Sequence, residues 1–156
     1  MNVKKGHLLT TAMLAVSLTL FCGCEKQFTG NTAHGPVGKN GKIAVILDTD
    51  ISDDIDDTWA LVMLLQSPEF DIKLITTAVG DTTARTKVVA KILQIAGRTD
   101  IPIGTGVAIG DMKKGHKQDA WVKDFDLSKY PGKIYPDGVQ AMIDTIMNSP
   151  EPITLI

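Results

Sequence analysis

Six aspartates are crowded into residues 48–57 of this chain, an acidic cluster that could do chemistry. They are Asp48, Asp50, Asp53, Asp54, Asp56 and Asp57. A carboxylate near a helix N-terminus is favourable by about 0.3 to 1 kcal/mol, which explains one or two of them. Like charges three or four positions apart on a helix oppose each other, so the others call for a counter-charge. Because no lysine or arginine is near in the sequence, a hard divalent cation is the simplest candidate, with plain helix capping as the alternative.

Apolar runs rich in branched residues alternate with helical patterns on both sides of the acidic cluster. Such runs are typical of buried strands, and the helical patterns end at glycine or at Ser-Pro. The sequence predicts strands at Ile43 to Leu47, Ile72 to Val79, Ile101 to Gly104 and Pro152 to Ile156, and helices at Ile55 to Gln66, Ala84 to Ala96 and from Asp137 onward.

This alternation predicts an α/β fold of Rossmann-like type, a mostly parallel sheet with helices on both faces. Ligands of such sheets bind beyond the carboxyl ends of the strands, where the acidic cluster must lie. The first helix carries the apolar run Trp59 to Leu65 and is predicted to be well buried. The second is predicted to be amphipathic, with Ala96 on its buried face and Arg85 on its outward face.

Thr105 to Tyr135 is long, carries glycine and lysine, and has no clear period. A loop of this length in a compact domain is usually functional or mobile. His116 could reach the pocket. Trp121 either anchors the loop, which the sequence favours, or stacks on a base.

The acidic cluster and the segments after it resemble the inosine-uridine-preferring nucleoside hydrolases. In that family the first strand runs into a D-x-D-P-G-x-D-D-x-x-A-L signature. The matching residues here are Asp48, Asp50 and Asp56 to Leu61, followed by Ile75-Thr76-Thr77 with Gly80, and by Ala96 to Ile103, which is similar to the family's A-G-R-x-D-x-P-V stretch. Three ordered blocks are far more specific than one acidic motif.

The resemblance implies hydrolysis of the N-glycosidic bond of a ribonucleoside by a calcium-activated water. Carried over by motif, Asp50 would bind Ca²⁺ and act as general base, and Asp57 would also hold the calcium. Asp56 would bind ribose hydroxyls. Asp48 and Asp54 would orient their neighbours without touching the ion.

The spacing inside the acidic cluster differs from the family's pattern. Five residues separate Asp50 from Asp56, two more than in the signature, and Ser52 replaces the family's glycine. Asp53 or Asp54 could therefore take a ligand role in place of the later pair.

Asp81 is predicted to bind substrate, because it follows Gly80 where the family usually has an asparagine near the ribose. An aspartate there offers the sugar only acceptors. Family members are also longer than this chain. We therefore expect residues 42–156 to be the N-terminal part of a nucleoside hydrolase domain, incomplete at the C-terminus, and inactive and poorly folded alone.

The first 41 residues are predicted to be a targeting signal followed by a flexible tether. Lys4 and Lys5 precede the apolar run Leu8 to Phe21, which suits a secretory signal. Gly23-Cys24 resembles the bacterial lipoprotein signal, which predicts a signal peptide of residues 1–23 and lipidation at Cys24. The alternatives are an ordinary cleaved signal and a disulfide between Cys22 and Cys24, although cysteines this close rarely satisfy disulfide geometry. Residues 24–41 suit a flexible tether. The protein is then expected in the bacterial cell envelope, periplasmic or extracellular, and attached to the membrane by its N-terminal lipid.

Composition restricts the partners. A net charge of −2 and 5% aromatic residues argue against nucleic acid, which leaves a small-molecule nucleoside and leaves a homo-oligomer open. Two other functions stay open. A haloacid-dehalogenase-like phosphatase would use magnesium, Asp48 as nucleophile and Thr76 as its second-motif hydroxyl. A lipoprotein could also bind a nucleoside or sugar without cleaving it.

Overall fold

The fold is seen in a computed structural model that describes residues 37–38, 41–110 and 117–156. Its strands are β1 (Ile43–Thr49), β2 (Phe70–Thr77), β3 (Ile103–Thr105), β4 (Ile134–Tyr135) and β5 (Thr154–Leu155), its helices α1 (Asp56–Leu65), α2 (Thr82–Ile95), α3 (Asp119–Val122) and α4 (Gly138–Met147), with a 3-10 turn at Leu127–Lys129. The strands form one parallel sheet in the order β4-β3-β2-β1-β5. The predicted α/β fold is confirmed.

Several predictions fall on residues outside the described part of the chain. They are the signal peptide, the lipidation site Cys24, most of the tether, and His116. Within the described part, no helix combines the length and the apolar character needed to cross a membrane.

The central strand β1 is covered on both faces. Val45 and Leu47 join a cluster that contains residues of α1 and α2. Ile46, which points to the opposite face, packs with Leu74 and with Ala141 of α4. Alternate side chains of a strand point to opposite faces, so the continuous apolar run in β1 follows from helices on both sides.

The stretch predicted as one irregular loop contains α3, the 3-10 turn and β4. Lys91 of α2 donates a hydrogen bond to the Trp121 carbonyl oxygen at 2.5 Å, and its Nζ lies 4.4 Å from the centroid of the Trp121 ring. Ile134 of β4 pairs in parallel register with Ile103 of β3. A strand of two residues is too short to give a periodic signal, which is why the sequence prediction was wrong here.

The prediction of a well-buried α1 was also wrong. Leu61 and Leu64 are buried, but Trp59 is 66% exposed and Met63 is 69% exposed. Within the described residues only one side of α1 packs on the sheet. In the described part of the sheet β5 is the edge strand next to β1, and no described element covers the outer side of α1. Its apolar residues Trp59 and Met63 therefore contact solvent.

Helix α2 begins earlier than predicted, because Asp81 caps its N-terminus by accepting a hydrogen bond from Ala84 N at 3.0 Å. Two details of its faces were wrong. Arg85 is not outward but 1% exposed, and Ala96, the residue that caps its C-terminus, is exposed. The threonines of α2 fix this orientation. Thr86 Oγ1 lies 3.2 Å from Thr77 Oγ1 of β2 and 3.0 Å from Thr105 Oγ1 of β3.

Two glycines let α4 approach the carboxyl end of β3. A β-carbon on Gly138 would lie 2.8 Å from the Gly104 carbonyl carbon, and one on Gly104 would lie 2.7 Å from Gly138 Cα. Both distances are shorter than side-chain carbons tolerate, so the backbones could not stay in place. The start of α4 therefore borders the strand ends only because both positions lack side chains.

We expect Gly138→Ala to lower the free energy of unfolding of the whole protein by about 1 to 3 kcal/mol, the usual cost of overpacking. Denaturant unfolding measures this. The control Gln140→Ala, at an exposed position of the same helix, should stay within about 0.5 kcal/mol of the wild type. Equal stability of Gly138→Ala and the wild type would contradict the close approach.

Candidate functional site

The carboxyl ends of β1 and β2 lie side by side and carry polar side chains. Asp48 is the register partner of Thr76, and Thr49 is the partner of Thr77. Thr76 Oγ1 donates a hydrogen bond to Asp48 Oδ1 at 2.6 Å. The Asp48 carboxylate is thus oriented by the neighbouring strand.

A cavity of about 230 Å³ opens at these strand ends. Asp48, Thr76 and Thr77 contribute its polar wall. The rest of the lining is backbone and aliphatic, from Ala78, Val79, Gly106, Val107, Ile109, Gly138, Val139 and Met142. It has the concave form of a small-molecule site, in which few polar groups orient a ligand among apolar walls.

Asp57, in the first turn of α1, is held by β1. Thr49 Oγ1 donates a hydrogen bond to Asp57 Oδ1 at 2.7 Å. The same oxygen of Thr49 accepts a hydrogen bond from Ile51 N at 3.1 Å. One hydroxyl therefore links the end of the strand, the turn after it and the helix.

Burial raises the pKa of Asp57 above its ordinary value, and the nearby carboxyl group of Asp50 and the charge of Asp56 raise it further. The hydrogen bond from Thr49 acts in the opposite direction. No lysine or arginine of the described ranges forms an ion pair with these three aspartates. None of the three therefore has an ion-pair partner in the described part of the protein, although the charge of Asp56 helps to raise the pKa of Lys117, which is paired with Asp54.

The two middle aspartates do have cationic partners. Arg85 Nη2 lies 3.3 Å from Asp53 Oδ2, and Lys117 Nζ lies 2.5 Å from Asp54 Oδ1. An open depression of about 500 Å³ is lined by Asp53, Asp54 and Lys117 together with Ile55, Asp56 and Gln118. The cavity beside Asp48 is smaller, and its described lining holds no ion-paired carboxylate. Of the predicted site residues, Asp48 lines the smaller cavity and Asp56 lines the larger depression, while Asp50 and Asp57 are not among the described residues that line either.

Sequence reasoning missed Arg85, which is the counter-charge that it sought near the acidic cluster. Burying a guanidinium costs several kcal/mol unless it is paired and fully hydrogen-bonded. Arg85 meets this condition by also donating to two backbone carbonyl groups, Ile51 O at 2.6 Å and Val79 O at 2.7 Å. A signal was present, because a cation near a helix N-terminus opposes the helix dipole and needs a compensating partner.

Gln118 was also missed, and it fastens the segment before α3 to the acidic cluster. Its backbone N–H donates to Ser52 O at 3.1 Å, and its Nε2 donates to Asp54 O at 3.2 Å. Its side chain also contacts the Thr58 hydroxyl, with Nε2 3.0 Å from Thr58 Oγ1. Part of the long loop predicted at Thr105 to Tyr135 is therefore attached to the acidic cluster. The sequence gives no signal for this contact, because sixty residues separate Gln118 and Thr58.

The other predicted site residues are placed as follows. Asp50 and Asp56 are exposed, the first just after β1 and the second at the start of α1. Asp81 caps α2, and in the described residues it is not among those lining the cavity beside Asp48. Trp121 is 43% exposed and contacts Lys91.

The carboxylates at the end of β1 fit a metal ion in part. In the described ranges, no group of three His, Cys, Asp or Glu side chains converges as a complete metal site would. Asp50 and Asp57 nevertheless bring two carboxyl groups close together with no cationic partner in those ranges. Paired carboxylate oxygens suit a hard divalent cation, so these residues fit part of such a site.

Comparison with known proteins is consistent with this chemistry. The family model described as inosine-uridine preferring nucleoside hydrolase matches residues 45–156. The chain is 32% identical over 114 residues to a pyrimidine-specific ribonucleoside hydrolase of Citrobacter koseri, covering 65% of this chain and 35% of the relative. It is 30% identical over 142 residues to uridine nucleosidase 1 of Arabidopsis thaliana, covering 72% and 41%.

A third relative is a non-specific ribonucleoside hydrolase of Escherichia coli, 29% identical over 126 residues, which are 74% of this chain and 40% of the relative. The chain thus spans about two fifths or less of the length of these three curated relatives.

We expect Thr49→Val to raise the pKa of Asp57 further, because the variant loses the hydroxyl that stabilises the charged carboxylate. Carboxyl-carbon NMR titration of the whole protein, without divalent ions, measures this. Thr49→Ser keeps the hydroxyl and should titrate as the wild type does. An unchanged Asp57 titration in Thr49→Val would show that the hydrogen bond has no such effect.

Proposed function

We propose, because the chain belongs to the inosine-uridine preferring nucleoside hydrolase family, that the whole protein hydrolyses the N-glycosidic bond of ribonucleosides. The names of its relatives support this substrate class. The observation that carries the proposal is the Asp50–Asp57 pair, two carboxyl groups held close together without a cation from the described residues. It lies at the strand ends, where α/β enzymes bind their ligands.

Within the acidic cluster we assign the ligand role to Asp50 and Asp57 rather than to Asp53 and Asp54. The support is electrostatic. Arg85 is paired with the partly exposed Asp53, and Lys117 is paired with Asp54 at the surface, where solvent weakens the attraction. A divalent ion near those two carboxylates would have to compete with a cation of the protein, whereas Asp50 and Asp57 would gain one.

The ion we propose is calcium, because carboxylate oxygens are the ligands it prefers. When bound, it would offset the negative charge of Asp50 and Asp57 and make water a better nucleophile. A proton competes with the cation for Asp57. Its raised pKa therefore predicts that metal affinity falls, as the pH is lowered, at a higher pH than for an ordinary aspartate.

The reaction itself needs a general base that activates water and residues that bind the ribose. In this proposal Asp50 accepts a proton from the attacking water, and its exposure and its interaction with Asp57 support that role. The water oxygen then bonds to the anomeric carbon of the ribose, and the C–N bond breaks. The electron pair of that bond leaves with the nucleobase, which takes up one proton. Positive charge grows on the ribose during this step, and carboxylates nearby stabilise it.

Binding of the sugar is assigned to Asp56, with Asp48 as an orienting carboxylate. Asp48 lines the cavity and accepts the hydrogen bond from Thr76. Asp81 spends one carboxylate oxygen on capping α2. The contact with substrate that we propose for Asp81 would therefore use mainly its other carboxylate oxygen. The sequence had suggested that the whole carboxylate faces the substrate.

The phosphatase alternative also has one contact in its favour, the hydrogen bond between Thr76 and Asp48. It gives no role to Asp57, however, and the family match favours the nucleoside hydrolase. A binding protein without turnover would capture a nucleoside and release no free base. Assays of nucleoside cleavage and phosphate-ester cleavage on the whole protein separate the three functions.

We expect Asp50→Asn to lower kcat for nucleoside cleavage about a hundredfold to ten-thousandfold, because the variant lacks the general base. The release of free base from uridine and inosine measures this. EGTA should abolish turnover, and added calcium should restore it. The control Asp124→Asn changes a surface aspartate that is 89% exposed and should keep wild-type activity. Full activity of Asp50→Asn, or full activity in EGTA, would contradict the proposal.

We also propose that Cys24 is lipidated and holds the protein at the bacterial cell envelope. The proposal rests on the signal-like sequence alone. Cys24→Ser should abolish incorporation of labelled palmitate in cells and move the protein from the detergent phase to the aqueous phase, and Cys22→Ser should not. Palmitate labelling that persists in Cys24→Ser would refute this assignment.

A further inference from the structure

Arg85 connects the two turns that follow β1 and β2. Its side chain is 1% exposed, and its three hydrogen bonds all go to these turns. Nη1 donates to Ile51 O at 2.6 Å and Nε donates to Val79 O at 2.7 Å. Nη2 donates to Asp53 Oδ2 at 3.3 Å. A planar guanidinium can serve three separate acceptors in fixed directions, and a lysine cannot do so with the same geometry.

Both turns contain a residue in a conformation that disfavours side chains. Ser52 has φ of 109°, and Val79 has φ of 63°. Positive φ is uncommon outside glycine and is a marked outlier for a branched residue such as valine. Arg85 binds the carbonyl oxygen of Val79 itself and that of Ile51, directly before Ser52. Conformations of this kind persist where the surroundings enforce them.

A short path of hydrogen bonds runs from Arg85 to Asp57. Arg85 binds Ile51 O, Ile51 N donates to Thr49 Oγ1, and Thr49 Oγ1 donates to Asp57 Oδ1. Asp50 lies between Thr49 and Ile51, so both of its neighbours along the chain belong to this path. Whatever holds Ile51 in place also limits where the Asp50 carboxylate can go.

We propose that Arg85 is a positioning residue for the Asp50–Asp57 pair, a role that rests on the proposed function. Its guanidinium holds the turn after β1 in the conformation that brings the two carboxylates together. The turn holds the two residues by which this chain exceeds the spacing of the family signature. Arg85 anchors this longer turn at Ile51 O, and Gln118 binds the next carbonyl oxygen along the chain, Ser52 O, as well as Asp54 O.

Arg85 positions the carboxylate pair through its hydrogen bonds to the Ile51 and Val79 carbonyl oxygens rather than through its charge beside Asp53. Asp53 is partly exposed, with 38% of its side chain accessible, and its distance to Arg85 is the longest of the three. Solvent screens a pair of this kind. Asp53→Asn should therefore leave the two carbonyl contacts and the carboxylate pair in place.

The experiment is calcium titration of the whole protein by calorimetry, with the melting temperature of each variant recorded without calcium. We expect Arg85→Lys and Arg85→Met to bind calcium about ten- to a hundredfold more weakly than the wild type, the range seen when groups that orient metal ligands are removed. Asp53→Asn should stay within about threefold, consistent with a screened pair. The matched control Arg98→Met removes an arginine whose Asp100 pair is on the surface, and it should bind calcium as the wild type does.

Three results would overturn the proposal. The first is wild-type calcium affinity in folded Arg85→Lys, even if its melting temperature falls, because a purely structural role predicts that combination. The second is a loss in Asp53→Asn as large as in Arg85→Lys, which would assign the effect to charge. The third is a wild-type protein that binds no calcium. If Arg85→Met does not fold, Arg85→Lys decides.

Failure of the proposed function gives a different pattern. A wild-type protein that binds calcium but releases no base from nucleosides would contradict the hydrolase proposal, and the affinities of the Arg85 variants would still test the positioning role. Base release by the wild type together with unchanged calcium affinity in Arg85→Lys would overturn the positioning role alone.

Discussion

The close approach of the Asp50 and Asp57 carboxyl groups at the end of β1 is the interaction on which the account depends. Burial of Asp57 and the charges of Asp50 and Asp56 all disfavour its ionised form. Because no residue of the described ranges forms an ion pair with these carboxylates, we propose that a cation from outside the protein binds there. The sheet supplies the position, because β1 ends where ligands of parallel sheets bind.

The fold divides the acidic cluster into two parts with different electrostatics. Asp53 and Asp54 are matched by Arg85 and Lys117, which come from α2 and from the segment before α3. Asp50 and Asp57 have no such ion pair among the described residues, and Asp57 instead accepts a hydrogen bond from Thr49. Charged residues far apart in sequence thus leave only part of the acidic cluster for a ligand. Arg85 and Gln118 also donate hydrogen bonds to the carbonyl oxygens of Val79 and Ser52, the two residues with positive φ beside the site.

The sequence predicted the parallel α/β fold and the placement of the acidic cluster, because both depend on local patterns. Apolar runs identify strands such as β1, and a strand followed by a helix fixes where the intervening turn must lie. The inward orientation of Arg85 was not predictable from helical periodicity, since its acceptors belong to two other turns. The exposed side of α1 was misjudged because its apolar run looked fully buried, and burial depends on neighbours that sequence does not supply. Local patterns also could not decide whether Asp53 and Asp54 or Asp56 and Asp57 are the better candidates for metal ligands. That choice rests in part on Lys117, which pairs with Asp54 from sixty-three positions further along the chain.

The most direct measurement is a crystal structure of the whole protein grown with calcium, with the ion located from its anomalous signal. The account predicts an ion coordinated by carboxylate oxygens of both Asp50 and Asp57 at about 2.3 to 2.6 Å, with Asp53 still paired to Arg85. An ion bound by Asp53 and Asp54, or an Asp50–Asp57 pair turned to solvent with no ion between them, would contradict it.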